Sequence, residues 1–367
     1  MSIAMTGATG FLGSRLLPAL LQQHDTVRVL ARGVPSETLD RIHRALVADR
    51  QPSHVLALAS ARVEAVDADI EHEDLGLSPQ DILRITDGLE AVWHCAAATS
   101  LNAVPQAATL VNVAGTLNIL RLATAAPSAV FHHISTAFVA GRQREGIVRE
   151  EAPAPAAGFE NPYEESKSQA ESLVHEWARR RGRKAVIFRP SILVSDRPGL
   201  AQGPKNPVRV MAESFRTRHG REERTLLRIP GLPHAHLNLI PVERAAELMT
   251  ALASKAVTPP GHTETFHITH PWEVSYRTML ELLESLHPVR FEFVETKPLV
   301  PTPAEYLVYQ VMRGYLPYAF HQRQYDRSKI QNAGLDRPAD LPVTLTYLQN
   351  GMPATDRDPF AFRPGQG

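Results

Sequence analysis

The chain has 367 residues, 43% of them hydrophobic, with 39 basic against 39 acidic side chains and a single cysteine. That length buries a sizeable core in one large domain or two. A formal charge of zero excludes a global pull toward nucleic acid. The lone Cys95 excludes an intrachain disulfide or a thiolate metal cluster.

No basic-then-apolar leader precedes the first glycine, and the apolar stretch 16–21 is too short to cross a bilayer. The expectation is a cytoplasmic protein with no integral membrane segment. In chain order, residues 2–5 form a short apolar run that ends at Thr6-Gly7. "GATGFLG" then places glycines at 7, 10 and 13, and apolar Phe11, Leu12, Leu16, Leu17, Leu20 and Leu21 follow at helical spacing. Pro18 inside that run fits near the first turns or as a kink. The glycines therefore sit at a strand-to-helix turn, where helix-terminal N–H groups and the helix dipole favour a phosphate. Residues 25–33 read as a second strand ending in Arg32-Gly33, 63–70 as a third and 88–99 as a fourth with a small-residue exit. A helix is expected over 111–126, a long apolar strand over 129–141, a helix over 163–182 and a sixth strand over 184–194.

This alternation implies an α/β fold with a doubly wound parallel sheet. Residues 150–162 are a proline- and alanine-rich loop leading to Tyr163. No repeats or low-complexity stretches occur, and the pattern becomes irregular after about residue 200. The expected division is a nucleotide-binding domain over 1–198 and a smaller mixed substrate region over 199–367, with about 237–270 returning to the core.

"NPYEESK" places Tyr163 and Lys167 four apart, on one face of a helix. A phenol titrates near ~10, and a neighbouring ammonium favours its ionised form. On that reading Tyr163 exchanges a proton with a substrate oxygen near neutral pH.

With these residues in view the chain resembles the extended short-chain dehydrogenase/reductase superfamily, whose turn is T-G-x-x-G-x-x-G. More narrowly it is similar to the thioester-reductase and fatty-acyl-CoA reductase branch. "ADIEHEDLGLS", "VWHCAAATSLN", "NVAGTLNIL", "HISTAFVAG", "PYEESKSQAE" and "FRPSILVSD" carry the likeness in colinear order from residue 3 to about 250. No adenylation or carrier domain accompanies it, so a standalone reductase is expected.

The resemblance implies that Gly7, Thr9, Gly10, Phe11, Leu12 and Gly13 cradle a pyrophosphate and that Asp69 and Ile70 lie beside the adenine. It implies that Ala96 and Ala97 line the cofactor, and that Pro190 and Ile192 lie against the nicotinamide. Thr136 matches the residue that hydrogen-bonds a substrate carbonyl. Tyr163 matches the general acid, Lys167 the residue that holds the ribose and tunes the tyrosine, and Asn112 a helix residue that supports the lysine through water. The second strand ends without an acid to bond a ribose 2′-hydroxyl, and Arg32 suits a 2′-phosphate, so the expected cofactor is NADPH. Arg28 is a second cation in the same strand.

Other residues receive plainer readings. Cys95 is small packing rather than a nucleophile. Adjacent His132 and His133 point to opposite faces of a strand and form no same-face metal pair. His234 and His236 share a face when extended but lack a third ligand. Val208, Val210, Met211 and Phe215 line an acyl channel or pack a helix. Residues 237–254 resemble the family's strand-and-helix return, with Asn238 and Glu243 in place of its two acids. Residues 303–326 cap the substrate pocket, touch a membrane surface or simply pack.

The expected activity is NADPH-dependent reduction of an acyl thioester, on coenzyme A or a carrier protein, to an aldehyde, with onward reduction to an alcohol open. The alternatives are a dehydrogenase, reductase or epimerase of a free carbonyl, alcohol or sugar-nucleotide, and a nucleotide-sensing scaffold without catalysis. Arg216, Arg218, Arg221, Arg224 and Arg228 are expected to meet an acidic thiol carrier, with Arg179, Arg180, Arg181, Arg183 and Lys184 as a rival patch.

Overall fold

The computed structural model describes residues 1–151, 156–197, 207–215, 225–337 and 340–352. Its centre is a seven-stranded parallel sheet. The strands are β1 (Ser2–Thr6), β2 (Thr26–Ala31), β3 (Val63–Asp67), β4 (Leu89–His94), β5 (Val130–Ile134), β6 (Ala185–Pro190) and β7 (Thr263–Ile268). Their spatial order is β7-β6-β5-β4-β1-β2-β3. The order reverses direction between β1 and β4, and a doubly wound sheet opens a binding crevice at that switch point, beyond the carboxyl ends of the strands.

Every residue of β1 is buried, because helices cover both faces of the sheet. Successive side chains alternate between the two faces. Ile3 and Met5 join Leu16, Leu17, Leu20 and Leu21 of α1 (Gly13–Gln23) in one apolar cluster, with Leu248, Met249 and Leu252 from the helix Val242–Lys255. Ala4 joins Leu120, Phe131, Val174 and Trp177 on the other face. Pro18 lies within α1 on its buried side rather than in the first turn.

Two expected strands are shorter than their apolar runs. The run 129–141 is a strand only to Ile134 and then turns into a 3₁₀ helix, Ala137–Ala140, capped by the Thr136 side chain. The run 184–194 divides at Ser191: β6 stays in the main sheet, while Ile192–Val194 pairs with Leu239–Pro241 in a separate three-stranded sheet. Hydrophobicity continues through both points because both sides are buried, so periodicity alone gives no sign of the break. The crossover from β2 to β3 carries two helices, Pro35–Ala48 and Ser53–Arg62.

A third apolar cluster gathers the later elements. It contains Met211, Leu237, Met279, Leu283, Phe291, Val308, Met312 and Tyr318. Its small sheets pair Thr225–Pro230 with Val289–Val294 and Gln324–Tyr325 with Ile147–Val148. Among the described residues, no helix is long and apolar enough to cross a membrane.

Candidate active site

The glycine turn is shaped by what it cannot hold. Gly7 has a φ of +69°, and a Cβ there would lie 2.7 Å from the backbone of Cys95 and Ala96. A Cβ on Gly13 would lie 2.0 Å from the Gly7 carbonyl oxygen. Bare backbone is thus required at both positions, and the start of α1 is left close beneath an open cradle. A buried polar chain supports it from below. The Thr6 hydroxyl accepts from the amides of Cys95 and Ala96 at 3.2 and 3.1 Å and meets His94 Nδ1 at 2.8 Å. His94 Nε2 meets the Thr116 hydroxyl at 3.2 Å, and that hydroxyl donates to the Asn112 carbonyl. Burial pushes His94 down to about 3, so the ring is neutral and serves as a hydrogen-bonding strut.

α2 (Pro162–Arg181) brings Tyr163 and Lys167 to the cavity. Asn161 caps it by accepting from the Glu164 amide, and Pro162 occupies the first helical position. Lys167, one turn on, is buried, and its Nζ donates to the Ile134 carbonyl at 2.5 Å. Burial pushes its ammonium down to about 8, against the pull of Glu171. Glu171 is itself locked to Arg189 at 2.7 Å in a fully buried pair.

Thr136 lies at the end of β5, accepting from the Phe138 amide at 3.3 Å. Burial raises the Tyr163 phenol to about 12, and a hydrogen bond from Thr136 offsets this only in part. The Lys167 ammonium donates to the Ile134 carbonyl and is not among the groups that move the phenol, whereas the charge of Glu164 adds to the upward push of burial. A phenol in this environment is a proton donor.

One cavity of about 920 Å³ joins these parts. Gly7, Thr9, Gly10, Phe11, Leu12 and Gly13 line its floor, and Ala96, Ala97, Thr136, Tyr163, Lys167, Pro190 and Ile192 line its centre. Asp69, Ile70 and Arg32 line one end, together with Arg41, which lies on the helix after β2. Arg32 is mostly exposed and pairs with Glu71 at 3.1 Å, while Arg41 donates to Thr38 and to the Arg32 carbonyl. The sequence marks Arg41 only by its place on the helix after β2.

The other end is apolar. Val208, Val210 and Met211 line it, as do Leu237, Met279, Leu283, Met312, Tyr315 and Tyr318. Val208 and Met211 line this cavity and also pack in the third cluster. Of the segment 303–326, Met312, Tyr315 and Tyr318 thus line the cavity, while Val308 and Tyr309 pack in the third cluster.

Asn112 is the candidate that does not reach the cavity. It is buried in an irregular turn, accepting from the Ala98 amide at 2.8 Å and donating to the Ala98 carbonyl and the Ser166 hydroxyl. Its side-chain amide fixes the β4 exit loop to α2 through these bonds. Arg28 does not reach the cavity either: its guanidinium donates to Ser2, Ile85 and Asp87.

Cys95 lines the cavity with its thiol pushed by burial up to about 12, as befits packing rather than a nucleophile. Among the described residues no group of His, Cys, Asp and Glu is placed to hold a metal. Of the expected carrier-facing arginines, 216, 218, 221 and 224 lie outside the described residues, as does the side chain of Phe215. Arg228 is committed to Glu305 at 2.6 Å. In the rival patch Arg183 is buried against the carbonyls of Ala123, Thr124 and Ala126, which leaves Arg179, Arg180, Arg181 and Lys184 exposed around the helix end.

Residues 5–249 match the model of the family described as male sterility protein, an NAD-binding family. The aldehyde reductase lnaA of Aspergillus flavus is 28% identical over 73% of this chain and 26% of its own length. Human fatty acyl-CoA reductase 2 is 26% identical over 73% of this chain and 57% of its own. The match thus spans about a quarter and just over half of these relatives. The terminal R domain of the myxalamid biosynthetic pathway is structurally similar, with a TM-score of 0.73, 23% identity and coverage of 95% of this chain and 89% of that one.

Proposed function

We propose, from the premise that the chain belongs to the male sterility protein family, that it reduces an acyl thioester on coenzyme A or a carrier protein to an aldehyde with NADPH. The observation that carries this reading is the continuity of the cavity. The glycine cradle, the Thr136–Tyr163–Lys167 cluster and a long apolar wall open into one space. An acyl chain fits such a wall, whereas a sugar-nucleotide would leave its hydroxyls unpaired there.

The cradle fits a dinucleotide, because Gly7 and Gly13 let the turn pack closely against the β4 exit and itself at the N-terminus of α1, where free amides favour a pyrophosphate. A nicotinamide dinucleotide held there would supply the hydride that reduces the thioester carbon. Thr136 and Tyr163 hydrogen-bond the carbonyl oxygen as it gains charge, and a single such donor is worth about 10²–10³ in rate. Tyr163, held protonated by burial, gives its proton to that oxygen. The resulting hemithioacetal breaks its C–S bond, the hydroxyl proton passes to the departing sulfur, and aldehyde and thiol separate. Lys167, which lines the same cavity, would hold the ribose.

The preference for NADPH over NADH rests on Arg32 and Arg41 at the cavity's end. Glu71, the acid nearest Arg32 there, is already paired with it and is a poor partner for a ribose hydroxyl.

The test is a panel of acyl-CoA and acyl-carrier thioesters and the matching aldehydes with NADPH, with products identified by mass. Aldehyde and free thiol from a thioester support the reading. Turnover of free carbonyls alone moves the chain to the second reading, a dehydrogenase or reductase without thioester chemistry. Cofactor binding with no turnover of anything leaves the sensing scaffold.

A further inference from the structure

Tyr318 lies in the 3₁₀ turn Leu316–Phe320, far along the chain from α2, yet its hydroxyl sits inside the cap of that helix. It accepts from Asn161 Nδ2 at 2.9 Å and donates to Glu164 Oε1 at 2.5 Å. Asn161 Oδ1 accepts from the Glu164 amide at 3.1 Å, and Glu164 Oε2 accepts from the Glu160 amide at 2.8 Å. These bonds flank Tyr163 on both sides along the chain. Glu164 is fully buried, so the Tyr318 hydroxyl meets a carboxylate that has no water to replace it. The ring of Tyr318 packs against Phe138 at 4.8 Å, and the Phe138 amide donates to the Thr136 hydroxyl. Tyr318 and Phe138 also line the apolar side of the cavity. A single side chain thus touches the segment that carries Thr136, the segment that carries Tyr163 and the wall against which a substrate lies.

We propose that Tyr318 is a positioning residue that sets Thr136 and Tyr163 relative to one another. This rests on the reading of Thr136 and Tyr163 as the reacting pair. Near-attack geometry is steep in distance, and a displacement of about 1 Å costs on the order of 10²-fold. Tyr318→Phe keeps the ring and removes the two hydrogen bonds.

Its kcat should fall by about ten- to a hundredfold, with the KM for NADPH unchanged within about twofold. Glu164→Leu, which removes the acceptor, should fall similarly, and the double variant should be no worse than the poorer single one, since both break one linkage. Asn161→Ser keeps an N-cap oxygen for α2 but loses the amide donor to Tyr318, so it should lose kcat while melting near the wild type. Unchanged kcat in Tyr318→Phe overturns the proposal. So do additive losses in the double variant, or a loss of kcat that tracks a fall in Tm across all three. Each variant is read on a free aldehyde as well as on an acyl-CoA. A wild type that reduces only the aldehyde defeats the thioester reading while leaving the Tyr318 measurement intact.

Discussion

Replacing Tyr163 with phenylalanine removes one oxygen and leaves the ring in the cavity wall. Burial holds the phenol at about 12, so at pH 7 only about one molecule in 10⁵ carries a phenolate there. For reduction this is the useful state, because a proton must be delivered to the carbonyl oxygen. Loss of a positioned general acid costs about 10²–10⁴ in rate, which is about 3–5 kcal/mol of barrier. The lost bond to Thr136 removes only about 1 kcal/mol of stability. Cofactor affinity should change little, since the ring that borders the site remains.

The assay is single-turnover oxidation of bound NADPH by a thioester, followed by absorbance, beside a direct titration of NADPH. The wild type should show no loss of chemical rate between pH 6 and 9 that belongs to Tyr163. Its affinity for NADPH should weaken above pH 8, where Lys167 begins to lose its charge. A Phe variant that keeps more than about a tenth of the single-turnover rate refutes the assigned acid. A falling limb of the wild-type chemical rate near pH 7 refutes the protonated-donor argument.

Arg32→Asp should shift preference toward NADH, and Arg41→Ala should weaken NADPH alone, because each removes a cation suited to a 2′-phosphate; unmoved ratios of kcat/KM for the two cofactors exclude these residues as selectors. Gly13→Ala should abolish NADPH binding and lower Tm, since its methyl would enter the space of the Gly7 carbonyl; a variant that binds normally would show that the turn yields. Met279→Trp should suppress turnover of long acyl thioesters while sparing short ones, as seen by comparing chain lengths; equal loss across lengths would place the methionine outside the acyl path. Lys167 titrates lower in the fold than its ordinary 10.5, so the unfolded chain binds the extra proton between about pH 8 and 10.5. The wild type should therefore gain stability relative to Lys167→Met as pH rises through that window, and a difference independent of pH would contradict the burial argument.

The sequence by itself determined the parts that local rules govern. Three glycines at a strand-to-helix turn announce a close approach of backbone, and the structure shows Gly7 and Gly13 with no room for a methyl. Tyr163 and Lys167 share a face because a helix repeats about every four residues, and the preceding Asn161-Pro162 supplies both cap and first turn. Alternating strands and helices are enough to specify a parallel sheet whose carboxyl ends open onto one crevice. Contacts between distant segments were decided only by the tertiary structure. Nothing in the spacing of Asn112 names the partners of its amide, and only the fold brings Ala98 and Ser166 to it. The protonation of Tyr163 depends on how much water the fold removes, a quantity that no spacing encodes. Arg228 looks like a free cation until Glu305 arrives from a helix far along the chain. Met312 and Tyr318 reach the cavity through the packing of the last apolar cluster, because burial there is a property of assembled elements and leaves no period in the sequence.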